Sequence, residues 1–552
     1  MSSSSGSGFS TLKWQIALGL GAVGAVGLIY WYQKSSQNQT LRSVKEIQKQ
    51  VEESPFQQAQ RHKLEGNEMF KRGKYDEAIS SYNKAIEIIP EEYKSDLSTY
   101  YQNRAAAYEQ LKKWSAVISD CQKAIELNNK YEKALYRRAK AYEMLKDYEN
   151  ALDDVTTVCL LQNFGNQKSL LMADRVLKGL GKKNAVEAMK TRIPVIPSKN
   201  FIKTYFASYP DDPVYKKLLE TSGPLGQGEL KGFLKAKLAY ATEKYDQVIP
   251  ACTEELNFSE AESVYKIEAL GLRASFYFLT GQFKESLDDI SSIIDSEVAS
   301  SSIKVNALIK RTSIYMQTDR VQDCMKDFET AAALGPNISD IYHHRGQVML
   351  LLEKTEEARH DFQKAVELNP NFPIAVVQKC YTDFRHATQC QDVGLLMSTL
   401  KEFREAVEKF PSCPETYILF AQVQTERQEF QEAEELYKKA IDIDTSNATV
   451  YVHQGLLLLQ WKGEIENAVQ LMRQAINVDE KCEFAYETLG TVEVQRGNLL
   501  VAIDLFNKAI KLARSEMEMV HLFSLRDAAA SQLKVASRIG IDSSFSFMKG
   551  AE

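Results

Sequence analysis

The sequence predicts an all-α fold, a stack of helix pairs behind a single N-terminal membrane span. Two observations predict it. Side chains of one type recur every 34 residues: Trp114 returns as Tyr148, Tyr108 as Tyr142 and Ala105 as Ala139. Phe328, Ala331 and Pro336 return as Phe362, Ala365 and Pro370, and Met472 and Ala475 as Phe506 and Ala509. The second observation is a run of nineteen residues without a charge, Trp14 to Tyr32, in a chain that is otherwise 26% charged.

Residues 1–13 are a Ser/Gly tail with one cation, Lys13. The uncharged run 14–32 follows, with Trp14 at one end and Tyr30, Trp31 and Tyr32 at the other. As a helix it would reach roughly 28 Å, close to the hydrocarbon thickness of a bilayer, with aromatic residues at both interfaces. Lys34, Arg42, Lys45 and Lys49 come after it, so the positive-inside rule leaves the long C-terminal part in the cytosol. A cleaved signal peptide is the competing reading, with a small-x-small site at Ala25-Val26-Gly27. Residues 33–57 form a polar tether.

A 34-residue period with small residues where helices cross is the signature of the tetratricopeptide repeat (TPR). The first unit carries nearly the whole pattern: Gly66, Gly73, Tyr75, Ala78, Tyr82, Ala85 and Pro90. About eleven units begin near residues 59, 98, 132, 229, 267, 305, 339, 373, 414, 448 and 483; the one at 229 is weak, and the one at 373 carries an insertion before Phe403. A lone helix pair cannot bury its apolar face, so neighbours stack into a superhelix with a concave groove. Between residues 165 and 228 the period is lost and Pro194, Pro197, Pro210, Pro213 and Pro224 gather. This stretch (165–228) reads as a Pro-rich linker with short helices between a three-repeat module (58–164) and a module of about eight repeats (229–512). Residues 513–552 supply an amphipathic capping helix and a tail.

Composition removes several function classes. The net charge is −6 and the pI about 5.9, against the basic surface that nucleic-acid binding needs. The eight cysteines contain no CxxC pair and read as buried small hydrophobes in a reducing compartment. The sequence has no GxxxxGK[ST], HExxH, GxSxG or Rossmann glycine pattern, so no enzyme, cofactor or metal site is expected.

In a TPR, positions 2, 5, 6 and 9 of the first helix fall within about a 100° arc that faces the groove. In the first three units Lys63, Asn67, Asn103, Lys133 and Arg137 occupy such positions. Three cations and two amides converging on one groove suit an extended peptide that ends in carboxylates. In the C-terminal module the same register holds Ile309, Val377, Tyr381, Ile418, Leu419, Val452 and Leu456, with His343, His344, Gln378, Glu415, Gln422 and His453 as its polar points. That groove suits an amphipathic or hydrophobic segment, although its apolar members could equally pack against the next repeat. His343–His344 has no third ligand at metal spacing and reads as groove lining.

The five polar residues match the carboxylate clamp of TPR co-chaperones, which holds the C-terminal EEVD tail of the 70- and 90-kDa heat-shock chaperones. The whole chain, through stretches such as SCPETYILFAQ and NATVYVHQGLLLLQWK, resembles the large TPR import-receptor family of the translocase of the outer mitochondrial membrane (TOM complex). The resemblance implies a single-pass receptor in the mitochondrial outer membrane that docks these chaperones through Lys63, Asn67, Asn103, Lys133 and Arg137. It implies that hydrophobic preproteins without presequences, such as inner-membrane carriers, are received and passed to other TOM subunits at the import pore. Glu415 would be a polar anchor of the preprotein groove, beside Leu419, Ile418, Val377, Tyr381 and His343. A membrane-anchored TPR co-chaperone of the endoplasmic reticulum or another organelle shares the anchor and the clamp and is the alternative.

Overall fold

In a computed structural model, residues 53–220, 230–259 and 263–540 are described. The expected anchor at 14–32 and the tail after 540 lie outside them. Among the described residues no helix is long and apolar enough to cross a membrane. Eleven helix pairs stand at the eleven expected places. The first three are Pro55–Lys71 with Tyr75–Ile88, Lys94–Gln110 with Trp114–Leu127, and Glu132–Met144 with Tyr148–Leu161. The next four are Gly232–Ala241 with Val248–Leu256, Lys266–Leu279 with Phe283–Asp295, Ser301–Gln317 with Val321–Leu334, and Ser339–Leu351 with Thr355–Leu368. The last four are Pro373–Cys390 with Val393–Lys409, Pro414–Glu426 with Phe430–Ile443, Ala448–Lys462 with Ile465–Val478, and Glu483–Gln495 with Leu499–Leu512. The fourth pair is short and contains a 3-10 turn, Tyr245–Gln247, which accounts for its weak signature. The insertion in the eighth repeat lengthens both helices, to 18 and 17 residues.

The chain divides into two compact units after Ala141, inside the first helix of repeat 3. In the first unit, the helix Pro55–Lys71 opens with a capping box between Ser54 and Gln57 and Pro55 at its first turn, which satisfies the free N–H groups there. Ala59, Gly66, Ala78 and Ala85 are buried where helices cross. A Cβ on Gly66 would lie 2.6 Å from the Tyr82 ring, so only glycine permits this approach. Arg104 makes a bidentate pair with Asp120, at 2.7 and 2.6 Å, that ties the two helices of repeat 2 together.

The second unit repeats that tie at the same spacing of sixteen residues, as Arg273–Asp289, Arg311–Asp327 and Arg345–Asp361. Its cores are alanine-lined and filled by Phe276, Phe328, Phe362, Phe403 and Phe506. The capping helix Glu516–Ile539, started by a Ser515–Glu518 capping box, packs on the last repeat as expected and also on Tyr148–Leu161 and Gln167–Thr191.

Of the expected linker, the described residues 165–220 belong to the second compact unit, which begins at Tyr142. Gln167–Thr191 is a 25-residue helix joined to the capping helix by Asn184–Asp527 at 2.9 Å. Two further helices, Lys199–Ala207 and Pro213–Leu219, follow it. Their Ile202, Phe206, Val214 and Leu218 share a core with Phe233, Phe276 and Leu279 of repeats 4 and 5. The physical reason is apolar content: these helices carry large side chains that repeats can bury, which a solvated linker would leave in water. The ion pair of Lys310 is wholly inside: Nζ donates to Asp212 Oδ2 at 2.7 Å and to Ser275 Oγ at 2.9 Å. Arg192 donates from Nε to the Ala513 carbonyl and from Nη1 to the Thr280 carbonyl, both at 2.8 Å, so it bridges repeat 5 to the end of repeat 11. At the same junction Gly281, at φ +76°, lies so near the Arg514 carbonyl that a Cβ would sit 2.2 Å from it.

Candidate functional site

The first site lies on the first helices of repeats 1 to 3. Asn67 Oδ1 accepts from the Tyr82 hydroxyl at 2.8 Å and from Asn103 Nδ2 at 3.3 Å, so the two predicted amides meet. Beside them is a cavity of about 290 Å³, lined by Leu64, Asn67, Phe70, Tyr82, Asn103 and Ala106. Burial pushes the Tyr82 hydroxyl up to about 12, so it stays protonated and donates. Arg137 is half-buried and fixed from two sides, Nε donating to Glu109 Oε2 at 2.7 Å and Nη1 to Gln102 Oε1 at 2.6 Å. Lys63 and Lys133 make no ion pair with another described residue, and Lys133 is exposed. Burial opposes ionisation of Glu109, but hydrogen bonds and charge from Lys140 and Arg137 outweigh it and hold the carboxyl below its usual range. A surface with two free ammonium groups, a fixed guanidinium and a joined amide pair can bind carboxylates.

The second site is a cavity of about 530 Å³ in the second unit. Four of the six predicted groove residues line it: Val377, Glu415, Ile418 and Leu419, with Gln378 and Gln422 beside them. Tyr381 does not; it is half-buried against the core of repeats 8 and 9. His343 is not groove lining either. It is 0% exposed, sits edge-on to Phe362 and Phe372, and finds no partner for its ring nitrogens among the described residues. Burial holds its pKa well below the usual value, so it is a neutral core ring. His344 stacks on Tyr209 and donates from Nε2 to the Ser208 carbonyl at 3.0 Å; burial pushes it down to about 4. Ile309 and Val452, also in the groove register, are fully buried in the packing between repeats.

Two walls of this cavity were not foreseen. One comes from the former linker: Val195, Ile196, Pro197 and Phe201, held in part by Lys481 Nζ donating to the Ile196 carbonyl at 2.8 Å. The other is acidic: Glu483, Glu487 and Glu518 also line the cavity, with Arg514 among them. Burial, then the neighbouring Glu518, raises Glu483 to about 7. Glu415 accepts a hydrogen bond from the Cys413 thiol at 3.1 Å. Glu109 and Gln102 were also missed; nothing in a single sequence links a glutamate to an arginine 28 residues on. Glu483 was missed because it is the first residue of its helix, one place before the groove position that Glu415, the second residue of its own, occupies. None of the eight cysteines is in a disulfide, and six of them are buried. Among the described residues no group of three or more His, Cys, Asp or Glu side chains is placed to hold a metal ion.

Comparison with known proteins gives the family. The Tetratricopeptide repeat profile matches residues 66–92, 339–372 and 414–447, within repeats 1, 7 and 9. The mitochondrial import receptor subunit TOM70 of Rattus norvegicus is 45% identical over 501 residues, which cover 89% of this chain and 82% of that protein. The Homo sapiens protein of the same name is 45% identical over 493 residues, 88% of this chain and 81% of its own. A crystal structure of the yeast Tom70 aligns over 88% of this chain and 98% of its own, at 25% identity and a TM-score of 0.47. On the strength of its sequence relatives, the chain belongs to the TOM70 family of mitochondrial import receptor subunits.

Proposed function

We propose that this import receptor docks cytosolic 70- and 90-kDa heat-shock chaperones by their C-terminal EEVD tails and takes over the hydrophobic, presequence-less preproteins they carry. Lys63, Asn67, Asn103, Lys133 and Arg137 are the chaperone clamp. The cavity lined by Val377, Glu415, Ile418 and Leu419 receives an amphipathic preprotein segment, whose apolar face meets the aliphatic wall and whose basic or amide groups meet the glutamates. Residues 14–32 anchor the chain in the mitochondrial outer membrane with its bulk in the cytosol, where it delivers preproteins to other TOM subunits. The observation that carries the clamp is the state of its five residues: two amides joined at Asn67 Oδ1, one fixed arginine and two lysines with no ion pair.

A peptide ending in EEVD tests this directly. The free acid binds and C-terminal amidation weakens it strongly, while Arg137→Ala costs about tenfold or more, since a charge-assisted hydrogen bond is worth roughly 1.5–3 kcal/mol. Equal affinity for acid and amide overturns the clamp. For the anchor, deletion of residues 1–40 releases the protein from sedimenting mitochondria.

A further inference from the structure

The chaperone-tail groove contains an anion of its own. Glu109 lies on Lys94–Gln110, the helix that also carries Asn103, and only 15% of its side chain is exposed. Its oxygens are divided between two cations: Oε2 accepts from Arg137 Nε and Oε1 from Lys140 Nζ, each at 2.7 Å. Gln102, on the same helix, takes Arg137 Nη1. Two of the three guanidinium nitrogens are thereby engaged, and Nη2 makes no hydrogen bond to another described residue.

An acid beside a carboxylate-binding arginine could act in two opposite ways. As a competitor it would have to be displaced before a guest carboxylate reached Arg137. The geometry argues otherwise. A guanidinium has five N–H donors; Glu109 takes the single one on Nε and Gln102 takes from Nη1, which leaves both donors of Nη2 for a guest. Lys140 answers the charge of Glu109, so the trio Arg137, Lys140 and Glu109 keeps a net positive charge. A long arginine side chain loses rotamer freedom when it binds, and here that loss has already been taken on folding.

We propose that Glu109, seconded by Gln102, is a positioning residue for chaperone-tail recognition: it holds Arg137 by Nε so that Nη2 is presented to the guest carboxylate. This rests on the clamp reading above. The test is a double-mutant cycle on the full-length chain in detergent micelles, titrated with a peptide ending in EEVD as free acid and as amide. Glu109→Ala weakens the free acid by about three- to tenfold, the range of coupling between residues in contact. Glu109→Gln, which keeps an oxygen for Nε, recovers part of that loss and shows the same pattern if the alanine variant melts early. In an Arg137→Ala background, Glu109→Ala changes nothing further, and the acid-to-amide preference falls in step with affinity. Removal of an anion by charge alone would tighten an anionic guest, so the sign decides. Tighter binding, or an equal loss with and without Arg137, overturns the proposal. If the wild type does not prefer the acid, or Arg137→Ala binds as well as wild type, it is the clamp reading that fails.

Discussion

The groove around Asn67 and the cavity around Leu419 are built on the same helical hairpin, yet they hold their lining in opposite ways. In the first, each recognition group except the two lysines is bonded to a neighbour: Asn67 to Tyr82 and Asn103, Arg137 to Glu109 and Gln102. In the second, aliphatic side chains share the lining with glutamates and amides, and part of the wall is a segment of the chain outside the repeats, Val195–Phe201. Hydrogen bonds fix direction, and direction is what a carboxylate tail needs; an aliphatic wall fixes only shape and suits guests of varied sequence. The repeat supplies the scaffold in both cases. What differs is the side chains at the groove register and, in the second, a non-repeat segment that closes the space.

That segment offers the largest effect. Lys310 is 4% and Asp212 0% exposed, and the ammonium also lies 5.4 Å from the Tyr209 ring centre. Lys310→Ala leaves a buried carboxylate alone and should destabilise the second unit by about 3–5 kcal/mol in urea unfolding, because an uncompensated buried charge is costly. Affinity for the EEVD peptide, whose groove comprises residues 63–137, should be unchanged below the melting temperature. A loss of tail binding in the folded variant would break the contrast between the sites.

Acid–base behaviour gives the next effect. Glu483, raised to about 7 from the usual 4.5, favours the folded state fully below pH 4.5 and loses that contribution as pH rises through 7. Glu483→Gln should therefore stabilise the protein at pH 8 by up to about 3 kcal/mol relative to its effect at pH 4.5. His344 has the opposite sign: its pKa falls from 6.5 to about 4 on folding, so stability present above pH 6.5 is lost as pH falls towards 4. Urea midpoints of wild type, Glu483→Gln and His344→Gln between pH 4.5 and 8 check both slopes. A Glu483→Gln midpoint shift that does not vary with pH would mean the carboxyl is not raised.

The repeat architecture was legible in the sequence because its cause is periodic. Gly66 against Tyr82, or Ala78 and Ala85 at a crossing, recur wherever two helices must approach, and eleven pairs appear where the 34-residue period put them. Register alone puts Lys63 and Asn67 on one face of the first helix, and the structure joins Asn67 to Asn103 on the first helix of the next repeat. The former linker was not: Ile202, Phe206 and Val214 have no period, and what buries them is a surface assembled from helices many residues away. His343 shows the limit of register itself. It occupies a groove position by count, but Phe362 and Phe372 close over it and turn a lining position into a core position. Tyr381 is diverted in the same way by the core of repeats 8 and 9.

The smallest expected effects fall on guest capture, where the two sites can be told apart without disturbing the fold. Glu415 is half-buried in the cavity, with Ile418 and Leu419 further along the same helix and the glutamates 483, 487 and 518 also in its lining. Glu415→Arg reverses one charge in an acidic, partly apolar space and would repel the basic face of an amphipathic guest helix. Leu419→Asp puts a charge on the aliphatic wall, where burial under a bound guest leaves it unpaired. Each should weaken capture of such a helix by about tenfold, or roughly 1.4 kcal/mol, while EEVD affinity stays within about twofold. The pair is informative because the mechanisms differ: a higher salt concentration should lessen the Glu415→Arg defect by screening and leave much of the Leu419→Asp defect in place. Unchanged capture in both variants would move the guest site elsewhere. Loss of both ligands in either variant would mark a folding defect, which the urea midpoint would expose.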